Sequence, residues 1–181
     1  MALAPFEALA GLAEKSRQSA KGLPQKIESV SRWRGLGFTL LGVNFVAPMG
    51  QISEMMEVPS SSTRLPGVQP WVLGLSNVRG RLLPLFDLAM FVGGELGQQR
   101  KMHRVLVLET DELYSGILVE RALGMQQFEL SQFDKDADTD SLQGLRSYLS
   151  GAYTDDQKRT WHVFDFMRLA ADPRFANASL V

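Results

Sequence analysis

Cysteine is absent from the 181 residues, which excludes disulfides, thiolate catalysis and cysteine-ligated zinc or iron–sulfur sites and agrees with a reducing cytoplasm. Histidine is scarce. His103 and His162 are the only two; neither has a second histidine four residues away or a carboxylate at ligand spacing, so both are read as structural residues. Net charge is nearly absent: 19 Lys and Arg stand against 20 Asp and Glu, −1 overall, which argues against a general polyanion binder. No apolar run approaches the roughly 20 residues of a membrane span. Leu3, Phe6 and Leu9 near the N-terminus follow no basic region and form no unbroken apolar core, so no secretory signal is expected.

The reactive fingerprints are missing as well. There is no Walker loop, Gly35-Leu36-Gly37 has no third glycine, and Ser76 lies in Gly74-Leu75-Ser76-Asn77-Val78 rather than in a nucleophile elbow. The alternating aspartates from Asp134 to Asp140 imitate the first half of a calcium loop. They put Thr139 where the sharp turn needs glycine and Leu145 where the loop needs a bidentate glutamate, so the segment is read as a solvated acidic loop. A cofactor-free chain without a reactive constellation suits a binding module, whose function lies in its surfaces.

What is present is a set of short β-forming runs broken by glycine and proline, in a chain 45% hydrophobic and 22% charged, fitting one domain or two small barrels sharing a core. Residues 1–34 are read as an N-terminal helical extension. Phe6, Leu9, Ala10 and Ala13 make one stripe over Ala2–Ala20, ended by Gly22-Leu23-Pro24; the stripe packs on its own domain or docks a partner. Residues 35–181 form the main domain. Phe38–Gly42 and Asn44–Pro48 read as a hairpin turning over Gly42 to Asn44, and Gln51–Val58 as about two helical turns with Ile52, Met55 and Met56 on one face. Val72–Leu75 and Leu82–Phe86 read as strands around a tight turn at Arg79-Gly80. Asp87 caps a short helix through Leu88, Met90 and Phe91, ended by Gly93-Gly94. Val105–Leu108 reads as a strand buried on both faces. Strands follow at Tyr114–Val119 and Leu123–Phe128, a loop over Ser131–Leu142, and a strand pair, Tyr148–Tyr153 with Trp161–Phe164. Asp165 caps a last helix ended by Pro173. Leu85–Leu88 and Val163–Phe166 echo one another as strand, aspartate cap and helix. The expected class is mostly β and barrel-like, with short helices.

The block from Pro70 to Leu88 resembles the signature of the CheW family: Val72-Leu73-Gly74-Leu75, Asn77-Val78-Arg79-Gly80, Leu82-Leu83-Pro84-Leu85 and Asp87-Leu88, in order and in spacing. Ile52-Ser53-Glu54-Met55 is similar to an upstream family segment, and the resemblance runs from about Gly35 to Leu169. Gly35-Leu36-Gly37-Phe38, Phe45–Gly50 and Asn77–Pro84 look like the PilI branch, which serves the chemosensory system controlling type IV pili and twitching motility. The resemblance implies two intertwined five-stranded, SH3-like β-barrel subdomains and a non-enzymatic cytoplasmic adaptor associated with membrane receptor arrays. It implies two partners, the cytoplasmic tip of a methyl-accepting chemoreceptor and the regulatory domain of a CheA-type histidine kinase. It places receptor binding in a groove at Ile52, Glu54, Asn77 and Arg79, with Gly80 and Asp87 as turn and structural positions. Two bland readings stand beside these roles: Arg79 pairs with Glu54 and only shapes the turn, and Asn77 only bonds the turn backbone. Two other functions also remain open, a coupler for flagellar chemotaxis or another pathway, and a small nucleic-acid-binding barrel using Arg79, Arg81, Arg100, Lys101 and Arg104.

Overall fold

The computed structural model describes residues 32–110 and 113–179, so the helix expected over Ala2–Ala20 lies outside the described residues. β1 (Arg32–Leu40) and β2 (Val43–Pro48) form a hairpin over Leu41 and Gly42, both with positive φ, the mirror-image turn that suits the twist of paired strands. β1 starts at Arg32 rather than at Phe38, because it is paired from Arg32 to Thr39 with a strand far along the chain. The two helical turns expected over Gln51–Val58 do not form. β3 (Glu54–Glu57) is instead a short edge strand whose residues pair with Arg104 to Val107. Met55 therefore points outward, and Met56 packs inward beside Leu83, Val105 and Val107. Four residues are too few to show a period of two, and neighbouring Ile52 supplies a false helical spacing.

β4 (Val72–Val78) and β5 (Arg81–Asp87) flank the Arg79-Gly80 turn, and α1 (Leu88–Phe91) follows directly, with its Met90 N–H donated to Asp87 Oδ1 at 2.9 Å. β6 (Arg104–Glu109), β7 (Tyr114–Val119), β8 (Arg121–Glu129), β9 (Phe133–Asp134), β10 (Leu149–Thr154) and β11 (Thr160–Phe164) complete the strands. Asp165 caps α2 (Phe166–Ala170), and Pro173 opens α3 (Pro173–Ala176), as suits a residue without an N–H in the first helical turn.

The strands form a five-stranded sheet, β3-β6-β7-β5-β4, and a six-stranded sheet, β8-β1-β2-β11-β10-β9. The first has the five strands implied by the family resemblance; the second adds the two-residue β9. From Arg32 the described residues run through β1 and β2 of the six-stranded sheet, cross to build the other sheet whole, and return with β8. The echo in the sequence is a repeated corner. β5 runs parallel to β7 and β11 parallel to β2. At the end of each, the aspartate N–H bonds a carbonyl at 2.8 Å, Asp87 to Trp71 and Asp165 to Tyr148.

Burial on both strand faces produces three clusters. Along β6, Val105 and Val107 join Leu83, Leu85 and Leu118 on one face of the five-stranded sheet. Leu106 and Leu108 face the other way, into a shared core with Phe38, Phe45, Trp71, Phe164 and Phe166. Val46, Phe128, Tyr153, Trp161 and Val163 fill a third cluster within the six-stranded sheet. A strand apolar on both faces needs a layer on each side, and here the second layer is the other sheet.

Candidate functional site

Three segments converge beside the five-stranded sheet: the crossover after β2, the first residue of β3, and the β4–β5 turn. The turn is a two-residue loop with φ of 52° at Arg79 and 81° at Gly80, closed by the Val78–Arg81 pair. Glycine enters this region freely, whereas an arginine there costs about 1–2 kcal/mol. Asn77 fastens the loop, its Oδ1 accepting the Gly80 N–H at 2.9 Å. Arg79 then reaches Glu54 as a two-pronged fork, Nη1 to Oε2 at 2.9 Å and Nη2 to Oε1 at 2.6 Å. The fork thus ties the edge strand β3 to the turn between β4 and β5. Its arginine side chain remains 77% exposed and its glutamate 33%.

Next to this pair runs a shallow groove of about 150 Å³, bordered by Leu36, Pro48, Met49, Ile52, Glu54 and Met55. Ile52 is half-buried and packs on the shared core. Met49, Met55 and, beyond the turn, Leu82 are 57%, 43% and 63% exposed. The structure thus brings Ile52, Glu54, Asn77, Arg79 and Gly80 into one neighbourhood. Asp87 lies at the opposite end of β5, buried, and burial pushes its carboxyl up against the opposing pull of the Met90 and Ala89 amides. An apolar floor beside one oriented, exposed ion pair is the surface an amphipathic helix needs, and arginine is a frequent hot-spot residue in such surfaces. Met49, Met55 and Leu82 were not assigned to the site from the sequence. The signal was present in β3, where an edge strand alternates its methionines, but the helical reading put Met55 and Met56 on one face.

The other candidates resolve into local structure. Asp134 and Asp138 each accept a backbone N–H two residues on, from Asp136 and Asp140 at 2.9 Å, and no cluster among the described residues has the donors for a metal ion. His103 Nε2 lies 2.8 Å from the Gly97 carbonyl. His162 is buried beside the Phe45 ring, and burial lowers its pKa against a weak opposing pull from Asp138. The basic residues that would make a nucleic-acid patch are largely engaged. Arg79 holds Glu54, Arg81 holds Glu109 at 2.6 Å and covers the Tyr114 ring at 3.8 Å, and Arg104 bonds the Lys101 and His103 carbonyls. Among the described residues, no helix is long and apolar enough to cross a membrane.

Comparison with known proteins identifies the family. Residues 20–174 match the CheW-like domain family. The chain is 39% identical to the protein PilI of Pseudomonas aeruginosa, over 97% of each chain. It is 35% identical to the chemotaxis protein CheW of Thermotoga maritima over 45% of this chain and 53% of that one. The CheW of Helicobacter pylori is 25% identical over 81% and 88%. The crystal structure of the scaffolding protein TtCheW from Thermoanaerobacter tengcongensis covers 75% of this chain and 90% of its own with a TM-score of 0.61, at 17% identity, a likeness of fold. The chain belongs to the CheW-like family of non-enzymatic scaffold coupling proteins.

Proposed function

We propose that this protein couples the cytoplasmic tip of a methyl-accepting chemoreceptor to the regulatory domain of a CheA-type histidine kinase, in the cytoplasm beside receptor arrays, within the chemosensory system that controls type IV pili and twitching motility. The similarity to PilI over nearly the whole of both chains supports the pilus pathway. Residues 35–181 are the coupling domain, and each sheet is one SH3-like barrel subdomain.

The observation that carries the receptor side is the forked Arg79–Glu54 pair beside a groove rimmed by exposed methionines. A receptor tip is an amphipathic helical hairpin. Its apolar stripe lies over Ile52, Met49 and Met55, and its polar edge meets Glu54 and Arg79. Asn77 uses its carbonyl oxygen inside the turn, leaving its amide N–H groups to the partner. The fork is strained at Arg79 yet mostly in water, where such a pair contributes little to stability, so its use lies in orientation. Scaffolding of this kind delivers a coupling free energy: receptor state changes kinase activity because both are held in one geometry.

Pull-down with the purified chain tests the reading, using a receptor-tip fragment and the kinase regulatory domain. Both partners are expected to be retained, and together. Retention of neither would refute the adaptor role. The CheW relatives favour a second reading, a flagellar or other chemotaxis coupler; tighter binding to a flagellar kinase than to the pilus kinase would select it.

A further inference from the structure

The crossover from one sheet to the other, Pro48 to Ser53, forms part of the groove wall. It begins with a tight turn in which Gly50 has φ of 95° and the Gln51 N–H reaches the Pro48 carbonyl at 3.4 Å. It ends at Ser53, whose N–H and Oγ both donate to the Val107 carbonyl, at 2.9 and 3.0 Å. Between these ends, the Gln51 side chain reaches a partner 114 residues along the chain. Its Nε2 donates to Asp165 Oδ1 at 2.9 Å, and its Oε1 accepts the Phe166 N–H at 2.8 Å. A primary amide used this way mimics a peptide group and satisfies one of the free N–H groups of the first turn of α2. The anchor is firm, since the Phe166 and Leu169 side chains of α2 are fully buried in the shared core.

We propose that Gln51 is a positioning residue for the groove: its two hydrogen bonds to the start of α2 hold the crossover so that Ile52 and Glu54 stay in register with Arg79. The inference rests on the proposed receptor-binding role of the groove. Gln51 itself needs no contact with the receptor. It acts through Ile52, the one residue between the Gln51 and Ser53 anchors, and through Glu54 just beyond. Without it the crossover is held only at its ends, by Pro48 in β2 and by Ser53 on Val107, and its middle loses its tie to the start of α2.

The test compares wild type with Gln51→Ala and Gln51→Met in the full chain; the methionine keeps the side-chain length without the hydrogen bonds. Amide hydrogen exchange at Gln51, Ile52 and Phe166 is expected to quicken about 10-fold in both variants, with exchange in β6 unchanged. Affinity for a receptor-tip fragment is expected to fall about 10-fold, while affinity for the kinase regulatory domain holds. Unchanged exchange at the crossover would overturn the assignment, and so would faster exchange with undiminished receptor affinity. A wild-type chain that binds no receptor tip would refute the proposed function instead, and the exchange comparison alone would then decide whether Gln51 holds the crossover.

Discussion

Replacing Arg79 separates what the turn contributes to folding from what it contributes to binding. In Arg79→Ala the positive φ of 52° remains strained and the fork to Glu54 is lost. The arginine is 77% exposed, so the pair contributes only about 0.2–1 kcal/mol. At about 2–4 °C per kcal/mol for a chain of this size, the melting midpoint should fall by no more than about 4 °C. In Arg79→Gly the same pair is lost, but about 1–2 kcal/mol of left-handed strain is relieved. Part of that gain, about 0.5–1 kcal/mol, is given back as extra chain entropy in the unfolded state. The glycine variant should therefore melt within about 5 °C of wild type and no lower than the alanine variant. Binding should follow a different order. Both variants lose the guanidinium, and a hot-spot arginine is worth about 2 kcal/mol or more, roughly 30-fold in affinity. Calorimetric titration with a receptor-tip fragment, run beside thermal melts of the same samples, reads both quantities. A glycine variant clearly less stable than the alanine variant would refute the turn argument. Wild-type affinity in both variants would return Arg79 to a purely structural role.

Gly74→Ala should be severe, because a Cβ there would lie 2.2 Å from the Thr63 carbonyl oxygen at a φ of 123°. Thr63 exchanges two backbone hydrogen bonds with Leu75, so strain and clash together should cost about 2–4 kcal/mol in urea unfolding. Phe175→Ala should cost about 3–5 kcal/mol in the same assay; Phe175 is 4% exposed, stacked on Trp71 and packed edge-on against Phe86 and Phe91. His162 makes stability acid-sensitive. Burial holds its folded pKa below the ordinary 6.5, and its Nδ1 has no hydrogen-bond partner among the described residues. As pH falls below about 6.5 the unfolded chain takes up a proton that the folded chain refuses, so stability drops. Wild type should lose more melting temperature between pH 7.5 and 5.5 than His162→Leu does, and equal losses would contradict the assignment.

Features with local causes were legible in the sequence, and features made by distant pairing were not. The Arg79-Gly80 turn, the capping aspartates 87 and 165, and the double burial of Val105 to Leu108 each follow from a few adjacent residues. The repeated corner was visible as an echo, though its meaning needed the parallel pairing of β5 with β7 and β11 with β2. β3 was hidden because its strand character comes from β6, and the start of β1 because it comes from β8. At the site, the family resemblance pointed to Ile52, Glu54, Asn77 and Arg79, while the fork itself depends on distant pairing that brings β3 to the β4–β5 turn. Gln51 was invisible, since both its partners belong to the last helical corner of the chain. A glutamine in a short loop carries no local mark of such a bond.

The central claim is that this chain joins receptor to kinase, and reconstituted kinase autophosphorylation measures it most directly. Kinase and receptor tips would be assayed with and without the protein, with receptor signalling state as the variable. Receptor state is expected to change the phosphorylation rate only when the chain is present, and Arg79→Ala to remove the response while leaving the kinase's basal rate intact. A receptor response of equal size in the absence of the chain would contradict it.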